Sequence, residues 1–186
     1  MDLFEPGMKV SIIQPVFDRL RQGTVELLDK VLPLRDSIND EILHRSYERE
    51  KQLEFGKSIV NKLGFDFERG RVDLSAHPFC TNFAPTDVRL TTRILENDIR
   101  SCLFGLIHEA GHGMYEQGVN MKYFRTFAAE GTSMGIHESQ SLFWENVIAR
   151  TEEFWQWALP QLKAVFPEQL GDTTPRDFYR AINVVR

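Results

Sequence analysis

Three residues, His108, Glu109 and His112, have the types and the spacing needed for metal-assisted hydrolysis, and they form the pattern HEXXH. On an α-helix, residues four apart lie about one turn apart on the same face. Both histidines can therefore direct a ring nitrogen at one metal ion, while Glu109 lies beside them, within reach of a water. The pattern is typical of zinc peptidases. The alternative is two partly exposed helical histidines with a glutamate that solvates the same face.

A catalytic zinc site needs a third protein ligand and keeps one position open. A downstream histidine of the HEXXHxxGxxH type is excluded, because Tyr115 and Gly118 stand where that pattern has Gly and His. The segment 133–146 offers His137, Glu138 and Glu145. Glu138 lies at the polar start of an otherwise apolar helix, where a carboxylate must be paired, ligated or exposed. From these residues alone, a ligand and a solvated glutamate that favours the helix dipole are equal alternatives.

The composition narrows the class of protein. The chain has 186 residues, 42% hydrophobic and 26% charged, with a net charge of −5, which fits one globular domain with a substantial core. The sequence has no basic stripe of the kind that binds nucleic acid. It also has no apolar run of the roughly 18 residues that a membrane span needs. Cys80 and Cys102 form no CxxC pair and fit a reduced protein. With no signal-peptide pattern at the N-terminus, we expect a cytoplasmic protein that binds neither nucleic acid nor membrane.

The predicted fold is mainly α, with a small antiparallel β-sheet before the HEXXH helix. Residues 1–7 and 119–130 are predicted loops. β-Branched and aromatic residues between Gly70 and Arg93 predict two or three short strands, whose edge could hold an extended peptide or form a plain structural hairpin. Apolar periodicity predicts helices over 8–32, 47–63, 96–117, 132–150 and 152–165, and another after Pro175.

The HEXXH helix contains three glycines, Gly105, Gly111 and Gly113. Glycine disfavours a helix by about 1 kcal/mol relative to alanine. Several glycines on one core helix therefore predict that another part of the protein approaches its backbone closely.

Four motifs together resemble a known family. They are His77-Pro78-Phe79, the DxRxT pattern of residues 87–91, the HEXXH of residues 108–112 and His137-Glu138-Ser139-Gln140. In this order they resemble the HPF, DxRxT, HEXXH and HES/GQ motifs of the thermostable carboxypeptidases, the helical HEXXH metallocarboxypeptidases of the Taq and Pfu type.

The resemblance implies roles for individual residues. It makes His108, His112 and Glu138 the ligands of Zn²⁺, with Co²⁺ as the other metal, and Glu109 the general base that acts on metal-activated water. His77, Asp87 and Arg89 would bind substrate, although a structural Arg89–Asp87 pair is the alternative. His137 is expected beside the site rather than on the metal. The implied activity is release of C-terminal residues from peptides, by a homodimer or a higher association.

The resemblance also implies that residues 1–186 are a single domain, the central part of a larger helical catalytic domain. The family's N-terminal helices and its IRxxAD and GxxQDxHW motifs fall outside this sequence. We therefore expect a zinc metallocarboxypeptidase, with two alternatives. One is a truncated, catalytically impaired relative that binds metal structurally or acts as an interaction module. The other is an endopeptidase, since the arginine that holds a substrate's terminal carboxylate is expected in the later motifs.

Overall fold

The computed structural model describes residues 5–184, and most of them are helical. The strands are β1 (Gly70–Leu74), β2 (Cys80–Ala84) and β3 (Asp87–Thr92). Residues 143–148 form a π-helical segment that continues α4. No described helix is both long and apolar enough for a membrane span. The helices are α1 (Val10–Val31), α2 (Arg49–Leu63), α3 (Ile99–Gln117), α4 (Met134–Leu142), α5 (Glu152–Val165), α6 (Pro167–Leu170) and α7 (Pro175–Ile182).

The predicted fold class is confirmed, including the small sheet before the HEXXH helix. The helix predicted over 132–150 is observed as α4 and the π-helical segment. Of the predicted loop 1–7, residues 1–4 lie outside the described residues. The antiparallel prediction for the sheet is confirmed for β2 and wrong for β1, because the strand order is β1-β3-β2, with β1 parallel and β2 antiparallel to β3. Alternation of residue types indicates which face of a strand is buried, but not which strand becomes its neighbour.

Helix α3 carries the HEXXH residues and lies at the centre of the fold. Its apolar side chains are buried against α2, the sheet and α4, and a single core contains them together with residues of α5 and α7. Asp98 caps the helix N-terminus by accepting the backbone N–H of Arg100. At the other end, the Gln117 amide bonds both backbone groups of Asp66, at 2.9 and 2.8 Å. Both ends of α3 are therefore fixed.

The glycines of α3 lie where neighbours approach its backbone, as predicted. A Cβ on Gly111 would lie 2.6 Å from the Ser141 Cα and 2.7 Å from the Gln140 carbonyl oxygen, so the backbones of α3 and α4 are in contact. A Cβ on Gly113 would meet the side chains of Phe65 and Leu90 at 2.8 and 2.9 Å. These contacts set the distance between α3 and the elements that complete the site.

Helix α1 makes little contact with this core. None of its residues is buried in the described structure, and Val16, Phe17 and Leu20 are more than half exposed. The periodic pattern correctly predicts a helix with one apolar side. It does not identify what covers that side, because periodicity reports only the helix's own faces.

The contact at Gly111 predicts a large effect of a small substitution. Gly111→Ala should destabilise the protein by about 1–3 kcal/mol, because its methyl group would meet backbone atoms that cannot rotate away. Gly23→Ala is the matched control, since a Cβ at Gly23 would have no described atom within 4 Å beyond the backbone of its own helix. It should be neutral or stabilising by up to about 1 kcal/mol. Urea unfolding of both variants would contradict this assignment if Gly111→Ala were as stable as the wild type.

Asp98 should make stability at the start of α3 depend on pH. Burial raises the pKa of Asp98, but the hydrogen bonds and charge of Arg100 outweigh it and leave the pKa below its usual value. The stabilisation is therefore full above the unfolded-state pKa of about 4 and is lost as pH falls through the lower folded-state pKa. Asp98→Ala should cost about 1 kcal/mol at pH 7, and progressively less in more acidic solution. The control is Asp36→Ala, because Asp36 is exposed. If the stability lost in Asp98→Ala did not change with pH, the assignment of Asp98 as a charged helix cap would be contradicted.

Candidate metal centre

Helices α3 and α4 bring His108, His112 and Glu138 together. The Nε2 atom of His112 lies 3.2 Å from Oε2 of Glu138, and that of His108 lies 3.8 Å from the same oxygen. One ligand atom from each residue lies within 4.8 Å of the other two, and this is the group among residues 5–184 that could hold a metal ion. Two imidazoles and one carboxylate match the donor set of catalytic zinc sites. The residues therefore fit a zinc ion, and their role as ligands stays a prediction.

The two histidines lie in different electrostatic surroundings. The hydrogen bond to Glu145 raises the pKa of His108 against the opposing effect of burial. Burial and the neighbouring His137 and His108 lower the pKa of His112. A metal requires neutral imidazoles, so a bound cation and a proton compete most directly at His108.

Glu109 lies beside this group without belonging to it. It is only 7% exposed. Burial raises its pKa, while the charge of His108 and the backbone N–H of Cys80 act in the opposite direction. Burial, together with the charges of Glu109 and Glu116, also raises the pKa of the Cys80 thiol to about 12. The start of β2 therefore faces the predicted general base with a peptide N–H and a protonated thiol.

His108 has a carboxylate partner, Glu145, which the sequence indicates only as a candidate ligand. Its Nδ1 lies 2.9 Å from Oε2 of Glu145, and Oε1 of Glu145 accepts a 3.0 Å hydrogen bond from Arg150. No local pattern marks Glu145 as a partner of His108. Its position seven residues after Glu138, two turns along the same helix, is the signal that could have found it.

His112 has a different partner, His137. Their Nδ1 atoms lie 2.7 Å apart, and the rings stack with centroids 4.6 Å apart. His137 Nε2 contacts Glu116 at 2.6 Å, and Asn82 of β2 donates to the same carboxylate at 2.7 Å. His137 thus lies behind a predicted ligand, in agreement with its expected place beside the site.

The three predicted substrate-binding residues lie in two places. His77 is exposed in the connection between β1 and β2, and the adjacent Pro78 packs 3.4 Å from the Cβ position of Gly105, one turn before His108. Asp87 and Arg89 form a two-point ion pair with both contacts at 2.9 Å.

This ion pair is on the other side of the sheet from the candidate ligands His108, His112 and Glu138. Val88 and Leu90 of β3 are buried toward α3, so the alternating Asp87 and Arg89 point away from it. Arg89 instead covers the ring of Phe83, with its guanidinium 4.9 Å from the ring centroid. The structure forms the Arg89–Asp87 pair, half-exposed rather than buried, and does not bring it to His108 and His112. Substrate contact by this pair stays a prediction.

An open cavity of about 340 Å³ continues from Glu116 along the end of β2. Its walls include the rings of Phe83, Phe124 and Phe127. Strand β2 is an edge strand among the described residues. The candidate metal ligands are thus flanked by the edge of β2 and by this cavity with aromatic walls. Such an arrangement is compatible with holding an extended peptide.

Comparison with known proteins covers the whole chain. The family model of the carboxypeptidase Taq (M32) metallopeptidases matches residues 1–186. The chain is 40% identical over 183 residues to carboxypeptidase 1 of Bacillus subtilis, and 40% identical over 185 residues to thermostable carboxypeptidase 1 of Thermus thermophilus. These matches take in 98–100% of this chain but only 36% of each relative.

Solved structures show the same relation. The crystal structure of BsuCP superposes with a TM-score of 0.96 at 39% identity, and the structure of the Pyrococcus furiosus carboxypeptidase with 0.91 at 40% identity. Each comparison covers the whole of this chain and 37% of the other. The chain is thus similar to a little over a third of each relative.

Loss of Glu138, the predicted third ligand, should separate metal binding from folding. Glu138→Gln should lower Zn²⁺ affinity by more than the roughly 10–100-fold that loss of an outer partner causes, while changing thermal stability of the metal-free protein little, because Glu138 is half-exposed. Glu153→Gln, an exposed glutamate in the first turn of α5, is the control. Metal content after gel filtration, with zinc titration calorimetry, tests this; full zinc occupancy of Glu138→Gln would remove Glu138 from the ligand set.

Proposed function

The chain belongs to the carboxypeptidase Taq (M32) metallopeptidase family, and from this membership we propose that it carries the zinc centre of a metallocarboxypeptidase that releases C-terminal residues from peptides. The observation that supports this most directly is the convergence of His108, His112 and Glu138 on one point, with the buried Glu109 beside it. A purely structural zinc site has no use for an additional carboxylate there.

In this proposal His108, His112 and Glu138 hold Zn²⁺, or Co²⁺ as the alternative metal. When bound, such an ion supplies a Lewis acid that activates water and polarises a carbonyl oxygen. Glu109 is the general base: its carboxylate accepts a proton from the attacking water and later delivers it to the leaving amine nitrogen. Burial raises the pKa of Glu109, which makes its carboxylate a stronger proton acceptor.

The substrate side of the proposal uses the elements around β2. An extended peptide would pair with the free edge of this strand, with His77 at the β1–β2 connection near the reacting end. The Asp87–Arg89 pair would contribute only if part of the substrate or of a longer chain reaches the outer face of the sheet. The proposed active unit is residues 1–186 as the central part of a larger catalytic domain.

Association is part of the same proposal. Exposed apolar residues on α1, among them Val16, Phe17 and Leu20, form a surface that supports contact with another protein surface. We propose a homodimer or a higher association in the cytoplasm. Mixing two tagged copies of the chain and measuring co-purification, with the same mixture of a Phe17→Ser, Leu20→Ser variant as control, would test whether α1 makes that contact.

The second candidate function is a metal-binding module without peptidase activity. It is favoured by the surroundings of His108, His112 and Glu138 among the described residues. A preorganised donor at the developing oxyanion is commonly worth about 10²–10³ in rate, and none of the described residues is assigned that role.

Glu109→Gln separates the two candidates. In the carboxypeptidase, the zinc-loaded wild type should release the C-terminal amino acid from a capped dipeptide. Glu109→Gln should keep stoichiometric zinc, but its rate of amino-acid release should fall about 10²–10⁴-fold, the usual contribution of a general base. The readouts are metal content and chromatographic quantification of the released amino acid, with Glu153→Gln as control. Stoichiometric zinc without release from any variant would select the metal-binding module, and absence of zinc from the wild type would reject both.

A further inference from the structure

The first observation is that the two ring nitrogens of His108 face two different carboxylates. Nε2 faces Glu138 at 3.8 Å, and Nδ1 contacts Oε2 of Glu145 at 2.9 Å. A carboxylate accepts hydrogen bonds, so the proton of a neutral His108 lies on Nδ1 and its lone pair on Nε2. The lone pair is therefore directed at the point where the metal ligands converge.

Glu145 is itself held in one orientation. Its Oε1 accepts a 3.0 Å hydrogen bond from Nη2 of Arg150, and both side chains are less than a third exposed. A second nitrogen of Arg150, Nη1, donates to the Ile182 carbonyl at the end of α7 at 3.0 Å, and Nε donates to Asn146 at 3.0 Å. The guanidinium uses three nitrogens on three partners, so its position is determined by the backbone of α7 as well as by Glu145.

The helix is widened where it carries Glu145. Residues 143–148 are π-helical, and the N–H of Ala149 bonds the carbonyl of Trp144, five residues earlier, at 2.9 Å. Such segments are rare and occur frequently at functional sites. Glu138 and Glu145 lie on opposite sides of the contact between Gly111 and Ser141, so one helix presents one carboxylate to each nitrogen of His108.

We propose that Glu145 is a positioning residue for His108: it fixes the Nδ1–H tautomer and the ring orientation, and Arg150 links it to the end of α7. Glu145 is not a metal ligand in this arrangement, because its carboxylate faces the nitrogen opposite the one that faces Glu138. The Nδ1 of His112 faces His137 instead of a carboxylate. The effect of Glu145 should thus be specific to His108. This inference rests on the proposed metal site but not on peptide release.

The test uses zinc affinity and the state of His108. Outer carboxylates of histidine ligands are typically worth about 10–100-fold in metal affinity, so Glu145→Ala should weaken Zn²⁺ binding about 10–100-fold in competition with a chromophoric chelator. Glu145→Gln keeps an acceptor oxygen and loses the charge, so its loss should be smaller. Glu152→Gln is the matched control, because Glu152 also pairs with an arginine, Arg176 at 3.5 Å, in the first turn of α5; its zinc affinity should equal the wild type's.

The second readout needs no metal and no activity. In ¹⁵N-histidine NMR of the metal-free protein at alkaline pH, His108 should carry its proton on Nδ1 in the wild type and become a mixture of tautomers in Glu145→Ala. Glu145→Gln is nearly isosteric and keeps the test available if Glu145→Ala does not fold. A wild-type His108 with its proton on Nε2, or an Ala variant that binds zinc within about twofold of the wild type, would overturn the inference. Zinc binding weakened as expected, in a protein that releases no amino acid, would instead support it and reject the carboxypeptidase.

Discussion

The contact between the backbones of α3 and α4 at Gly111 determines the geometry of the candidate metal centre. A methyl group at this position would lie within 2.7 Å of two backbone atoms of α4, so a larger residue would force the helices apart. Separation would move Glu138 away from His112, at present 3.2 Å distant, and Glu145 away from His108, at 2.9 Å. One glycine therefore controls the position of a predicted ligand and of a ligand's partner at the same time.

The charges around this crossing explain why a cation fits there. Carboxylates surround the histidines, and Arg150 pairs with one of these carboxylates, that of Glu145. Like charges in partly buried positions disfavour one another, and both Glu138 and Glu145 act to raise the pKa of Glu109. A divalent ion held by the predicted ligands would offset that repulsion. The negative charge of these carboxylates would then favour retention of the ion, and Glu109 would still be able to exchange a proton.

The sequence predicts those parts of the site that depend on local geometry. The spacing of His108 and His112 is a property of one helix, and the glycines of α3 correctly predict a close approach. The third ligand could not be derived in this way, because the placement of α4 depends on contacts about 30 residues away in the chain; only the family resemblance distinguished Glu138 from its neighbours. The predicted direction of β1 was wrong for a similar reason, since a pattern of alternation contains no information about the neighbouring strand.

The face of the sheet on which Arg89 lies could have been predicted from the alternation of residue types in β3. In β3, Val88 and Leu90 alternate with Asp87 and Arg89, and the first half of the strand has one buried and one more exposed face. Once the apolar residues are assigned to the face against α3, the charged ones must lie on the other side. The motif resemblance grouped all four motifs at one site, whereas the alternation in β3 places Asp87 and Arg89 on the face of the sheet that points away from α3.

The arrangement of neighbours around α3 also determines where the site is open. The sheet and α2 cover one side of the helix, α4 and the π-helical segment cover another, and the Arg150 contacts to Phe104 and Ile182 connect α3 to α7. The remaining approach runs past the half-exposed Glu138 and along β2, toward the cavity at Glu116. In the proposed carboxypeptidase, a peptide would therefore meet the strand edge and the metal ligands on the same side, with Glu109 below them on the buried side of the site. The start of β2 covers Glu109, the predicted base, whereas Glu138, the predicted ligand on α4, stays half-exposed on the open side.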